Sequence, residues 1–476
     1  MVKKRGGAFV PVSVVSVAVA SLVGVAVVTH PGEAPVPVET SHEALSEQPG
    51  VRAEHGGVPV DDVHTVTARS AGAQSSTRDG SASPERAGGV GREGSRSATS
   101  HQPDNGNRSR SGGAGSGSNA QPATKTPHDN TAPKRRAQSA TSGKFVANFV
   151  FAHTTPEANT DMVKAMSVDA ITFGFRLTPT TASKYPAPVR SAVKGKRVFA
   201  YSGGIEWKRG LSKHDRVVAG YTLVHAGGAI VIVPTGGDKQ GALIDGARAT
   251  GHNTYLGLPA PRMNGYLPDL SYTPVLREFT RKFVTNYDAR GARGYYHHVE
   301  MPVGGRGTWD GVRGLYAMQN REVARVRPGA TTIIAPYLET RKGKAHASPE
   351  QSAHGVKRLL ATANGTRLLI APQDGLGAGT TRLRADTTRG FTSTTEDVFA
   401  AMSRVAGSRL YATTEVMRPG GGTSDSRART DIGRVKQQLD AVKPYTSGSI
   451  GFMWNNQTGM CDVSGVRGVT AGSGLR

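Results

Sequence analysis

The sequence predicts an α/β protein, a (β/α)8 TIM barrel, preceded by an apolar N-terminal helix and a long disordered linker. Three observations carry this expectation. Large apolar residues are almost absent from about residue 31 to 143. Beyond that stretch, eight short runs rich in Val, Ile, Phe and Tyr alternate with longer segments of helical period. Such alternation requires parallel strands joined by right-handed crossovers, and eight units over residues 144–476 complete a ring. An open doubly wound sheet is the architectural alternative.

At the N-terminus Lys3, Lys4 and Arg5 precede an apolar run from Ala8 to Val28. Basic residues before such a run mark an export signal. The run is long enough to span a bilayer as a helix, while Ala18-Val19-Ala20 offers a cleavage site. Residues 1–30 therefore read as a signal peptide or a signal anchor. The positive charge keeps the N-terminus cytoplasmic and places the rest outside, secreted or tethered to the cytoplasmic membrane by residues 8–28. Membrane contact is expected through this helix only. Residues 31–143 follow, with stretches such as GGVGREGSRSATS that bury too little apolar surface to offset chain entropy. They read as a flexible tether, and residues 144–476 as the folded domain.

Charge is concentrated in that domain, where 44 Lys and Arg stand against 24 Asp and Glu. A basic domain attracts polyanions. Outside a cell the expected polyanion is an anionic surface polysaccharide rather than nucleic acid, with solubility as the plainer use of the charge. Cys461 is the only cysteine, so no intrachain disulfide forms.

The elements follow in order. FVANFVFAH (145–153) reads as the first strand, and TPEANTDMVKAM as a helix with a Thr cap, a Pro start and an early acid. AITFGFRL (170–177) is the second strand. Residues 178–252 hold two extra apolar runs, KRVFAYSGG and GGAIVIVPTGG, and read as an insertion. NTYLGLPAP (253–261) is the third strand; the helical pattern after it ends in Gly291. GYYHHVEMP (294–302), TTIIAPYLE (331–339), RLLIAPQDG (367–375), RLYATTEVM (409–417) and GSIGFMWNN (448–456) complete the eight.

In such a barrel chemistry gathers at the C-terminal strand ends. Those ends here offer His153, Arg262, His298 with Glu300, Tyr337 with Glu339, Gln373 with Asp374, Glu415, and Trp454 with Asn455 and Asn456. Strand alternation puts Tyr296, His298 and Glu300 on one face. The fourth and seventh strands face each other across the ring, so Glu300 and Glu415 are candidates to flank a glycosidic bond, one protonated and one ionised. Substrate contacts are expected from His298, Tyr296, Tyr337, Gln373, Asp374, Trp454 and Arg262, the last toward an anionic group. His297 and His298 point oppositely and do not share a metal site. GLGAG (375–379) lacks the Lys-Ser/Thr of a phosphate loop. Neither metal nor cofactor is expected.

Glutamates ending strands four and seven resemble the large clan of retaining glycoside hydrolases built on this barrel. That resemblance implies Glu300 as acid/base, Glu415 as nucleophile and Trp454 as an aromatic platform under a sugar. Where the clan usually has Asn before its strand-four Glu, this chain has Val299. The pieces YLGLP, GYYHHVEMP, IIAPYLE, APQDGLG, TTEVMRPG and QQLDAVKPY, in order over about 190 residues, more closely resemble the bacterial domain-of-unknown-function family 4434. It implies a glycoside-hydrolase-like barrel with a pocket and establishes no substrate; the carbohydrate partner is expected from the glutamate pair. A catalytically silent glycan-binding barrel is the other reading.

Overall fold

The computed structural model describes residues 140–476, apart from 345–347, 388, 420–426, 456–458, 473 and 476. The expected signal or anchor, nearly all of the linker, and Asn456 lie outside the described residues. Among the described residues no helix is long and apolar enough to cross a membrane.

Eight parallel strands form one sheet: β1 (Phe145–Val150), β2 (Asp169–Thr172), β3 (Thr254–Gly257), β4 (Gly294–His297), β5 (Thr331–Ile334), β6 (Arg367–Ile370), β7 (Ala412–Glu415) and β8 (Ser449–Phe452). Each of β1–β7 is followed by its own helix: α1 (Pro156–Met166), α2 (Lys239–Arg248), α3 (Thr273–Arg290), α4 (Asp310–Val326), α5 (Pro349–Leu360), α6 (Thr395–Ala406) and α7 (Ile432–Val442). The strands neighbour one another in ring order from β6 back through β1 to β8 and β7. The ends of that row meet without a regular ladder. Single bridges join Ile370 to Leu410 and Gln373 to Thr413, with hydrogen bonds from Tyr411 N to Ile370 O (2.9 Å) and Thr413 N to Pro372 O (2.8 Å). The result is a nearly closed barrel.

Strands buried on both faces need near-continuous apolar runs, which is what the sequence supplies. Phe149, Ile171, Tyr255, Tyr296, Ile333, Leu369, Tyr411 and Ile450 pack together in one cluster and fill the ring. Outward residues pack beneath the helices. The helices begin where their caps dictate. Thr155 caps α1 ahead of Pro156, capping boxes start α5 (Ser348 with Gln351) and α6 (Thr394 with Asp397), and Gly291 ends α3 at φ 98°.

The insertion is real, and its limits differ from those expected. β2 stops at Thr172, because the chain leaves the ring at Gly174. A Cβ there would lie 2.0 Å from Leu258 O, and one on the facing Gly257 would lie 1.9 Å from Gly174 N, so the two exits cross only as glycines. Arg176–Pro179 then joins Val198–Tyr201, Arg216–Val218, Tyr221–Ala226, Ala229–Pro234 and Ala260–Pro261 in a second, mixed sheet of six strands. Lys239–Arg248 is a barrel helix, packed on α1, rather than part of the insertion. One face of the second sheet, with Phe199, Tyr201, Val224, Val231 and Val233, packs on Tyr272, Phe279 and Phe283 at and along α3. The opposite face, with Val198, Leu223, Ile230 and Ile232, is covered by Val189 and Val193 from the segment 182–193. A buried ion pair pins this module to α3: Asp215 Oδ2 lies 2.6 Å from Lys282 Nζ.

Candidate active site

The seam between β6 and β7 builds the polar end of the barrel. Chain pairing continues past β6, so Asp374 N donates to Thr413 O at 2.8 Å. This brings Gln373 and Asp374 beside Glu415, the last residue of β7. The Asp374 carboxylate has no exposed surface and accepts three donors: Leu376 N (3.1 Å) and Glu415 N (3.3 Å) on Oδ1, and Gln438 Nε2 (3.0 Å) on Oδ2. Gln438, on the inner face of α7, also donates to Glu415 O at 3.0 Å. Burial, and then the adjacent Glu415 carboxylate, push Asp374 well above the usual carboxylate range.

Glu415 is 5% exposed, and its Oε2 accepts Ala378 N at 2.6 Å. The loop reaches it because residue 377 is glycine. A Cβ there would lie 2.7 Å from Glu415 Cβ and 3.0 Å from its Oε2.

Glu300 stands three residues beyond the end of β4, which stops at His297, and not within the strand as the sequence pattern implied. Its segment is carried on by the chain just past β5: Pro302 bridges to Tyr337, and Tyr337 N donates to Met301 O at 3.1 Å. The Glu300 side chain is enclosed by protein yet keeps some accessible surface. Burial raises its pKa to about 8; the Gln373 amide, hydrogen-bonded to it, opposes the rise and the Glu415 charge adds to it. Gln373 also donates to Ala335 O at 3.2 Å, which fixes its amide between β5 and Glu300. Glu300, Gln373, Glu415 and Asp374 thus form one electrostatic cluster, with a group that holds its proton at neutral pH facing one within reach of its charge.

The other expected residues fall in different places. Tyr337 is half-buried, sits edge-on to Trp309 at 6.4 Å, and has its hydroxyl pKa raised by burial and by Glu300. Tyr296 shares that electrostatic link, but is 1% exposed and packs edge-on to Phe149 at 4.8 Å. It is core beneath the cluster, because its register position is a layer below the strand ends. His298 points the same way, edge-on to Phe173, with Nδ1 buried and unpartnered. Burial, and then nearby Arg176, lower its pKa to about 4. His297 points to α4 as alternation requires, and bonds Gln319 and Asn320. Trp454 is 5% exposed and packs with Met162, Val163 and Val435, on the helix side of β8, so the structure does not offer it as a platform. Arg262 is paired with Asp269 at 2.7 Å beside the short hairpin 263–268, away from the carboxyl cluster's bonding.

Sequence reasoning missed three groups. Tyr316, on α4, is buried, donates to Val299 O and feels the Glu300 charge. Gln438 holds Asp374 and Glu415 together. Arg176 reaches His298 from the insertion. Gln438 had a signal, a polar residue on the apolar stripe of its helix; the other two depend on tertiary placement alone. Among the described residues no group of three His, Cys, Asp or Glu side chains is arranged to hold a metal.

No protein-family model and no curated protein matches the chain. Among solved structures, a protein of Bacteroides thetaiotaomicron described as a "putative alpha-L-fucosidase" is similar at 13% identity and a TM-score of 0.40, covering 70% of this chain and 91% of that one.

Proposed function

We propose that the protein is an exported glycoside hydrolase of the retaining type, acting on a carbohydrate at the C-terminal end of the barrel. Glu300 is the proton donor to the leaving oxygen and Glu415 the nucleophile at the anomeric carbon. The supporting observation is the asymmetry of the pair. Glu300 is held protonated by burial, with its pKa raised to about 8, while Glu415 receives the Ala378 N–H, a bond that favours its ionised form. After the first transfer the ionised Glu300 takes a proton from water, and that water releases the sugar from Glu415. Gln373 holds the Glu300 carboxyl in place, and Tyr337 lines the approach. Kinship with the domain-of-unknown-function family rests on the motif pieces in the sequence and is part of this proposal, as are export and tethering through residues 1–30.

The test is turnover of a panel of neutral and anionic glycans by wild type and Glu415→Gln. Loss of turnover in the variant, with a covalent glycosyl adduct on Glu415 trapped by a slow fluoroglycoside, supports the reading. Absence of turnover by either protein sinks it.

A glycan-binding barrel without catalysis is the second reading. Val299 and the commitment of Glu415 Oε2 to the loop favour it. Retained glycan binding with no turnover identifies it.

A further inference from the structure

The inserted sheet has two unlike faces. Its inner face is aromatic and sealed on α3, whereas its outer cover is basic. No acid occurs from residue 170 to 205, a stretch holding Arg176, Lys184, Arg190, Lys194, Lys196 and Arg197. Lys184 and Arg190, on the segment whose Val189 and Val193 cover the outer face, and Lys194 and Lys196, directly after it, are exposed. Lys194 and Lys196 flank a turn at Gly195, where φ is 70°. Arg216 joins them from the sheet itself. It is opposite Leu223 in the antiparallel register, and directly opposed residues share a face, here the one under that cover. The nearest acids in sequence are occupied: Asp169, buried, by Asn253, Glu206 by Lys208 and Arg290, and Asp215 by Lys282.

We propose that this outer face, formed by Lys184, Arg190, Lys194, Lys196 and Arg216, docks an anionic polysaccharide. The module leaves the barrel directly after β2 and is tied again after β3, so it is rooted at the same end of the barrel as the carboxyl cluster. The choice of a polysaccharide rests on the glycoside hydrolase reading above; the choice of an anionic one rests on the charge. Single-stranded nucleic acid is disfavoured because the covering segment carries no exposed aromatic residue: Tyr185 is half-buried, edge to face with Tyr221 at 5.4 Å. A membrane surface is disfavoured because the exposed large apolar residues Leu211, Val217, Tyr266 and Val405 all lie outside the covering segment.

The experiment measures binding of the full chain to polygalacturonate, with neutral dextran, duplex DNA and vesicles of equal parts phosphatidylcholine and phosphatidylserine as comparators. Polygalacturonate is expected to bind best, with affinity falling steeply as salt rises. Reversing Lys184, Arg190, Lys194 and Lys196 to Glu is expected to weaken it at least about tenfold while circular dichroism stays unchanged. Lys194→Gln with Lys196→Gln gives a milder loss and guards against misfolding. Equal binding by wild type and the charge-altered variants overturns the proposal, as does binding of DNA or vesicles as tight as that of polygalacturonate, or no binding of the polymer. Glu415→Gln is expected to bind like wild type. Binding without turnover by any variant would leave the docking face standing and remove the enzyme reading.

Discussion

Asp374 Oδ1 accepts the backbone N–H of Glu415 at 3.3 Å, so the loop after β6 holds the residue that ends β7. Asp374→Ala would strip the acceptor from three buried donors at once. The expected cost is roughly 2–3 kcal/mol, read as a lower urea midpoint. Asp374→Asn keeps one acceptor oxygen and should lose less. An alanine variant as stable as wild type would show that these contacts carry no weight.

Glu300 gives a pH signature. Its folded pKa of about 8 lies above the ordinary 4.5, so the neutral form is the one the fold favours. That contribution is fully present below pH 4.5 and is lost as pH rises through 8. Glu300→Gln, neutral at every pH, should therefore gain stability relative to wild type between these limits and be the more stable protein above pH 8, by a few kcal/mol at most. Thermal melts across that range decide it; a constant difference between the two proteins refutes the assignment.

Glu415→Gln should also lower the Glu300 pKa, since a like charge is removed beside it. Carbon NMR of the labelled carboxyl would follow the titration. A midpoint that stays put would mean burial alone sets it.

The loop glycine is a separate test. Gly377→Ala places a Cβ 2.5 Å from Met417 Cγ and 2.7 Å from Glu415 Cβ, and is expected to cost about 1–3 kcal/mol and any activity that depends on Glu415. Gly468→Ala, whose Cβ meets nothing within 4 Å, serves as the control. Equal melting temperatures for the two variants would refute the crowding argument.

The insertion has its own latch. Burial would raise the Asp215 pKa, but the Lys282 bond and backbone donors outweigh it and set the value at about 2. The sign is opposite to that of Glu300: stability is present above the ordinary 3.8 and is lost as pH falls toward 2. Lys282→Met leaves a carboxylate without its cation in a closed site. It should destabilise by roughly 3–5 kcal/mol in guanidinium unfolding, most strongly near neutral pH.

The ring was legible because eight apolar runs at regular spacing permit few other arrangements. Alternation also separated His297 from His298 correctly, since it is local geometry. Where local rules end, so did legibility. Trp454 was placed by proximity to a strand end, but it lies two residues past β8, buried in the same cluster as Met162 and Val435. Arg262 looked free until Asp269, seven residues on, folded back to it. The limits of the insertion were blurred because Arg176–Pro179 continues the apolar rhythm of β2 while belonging to another sheet. Gln438 and Tyr316 approach from helices, a direction no strand pattern contains.

The β6–β7 junction lacks a continuous ladder, and the same few bonds that span it also orient Glu415 and Asp374. Ring completion and assembly of the carboxyl cluster are therefore one event. A nascent chain halted before β7 has neither a closed ring nor a working edge.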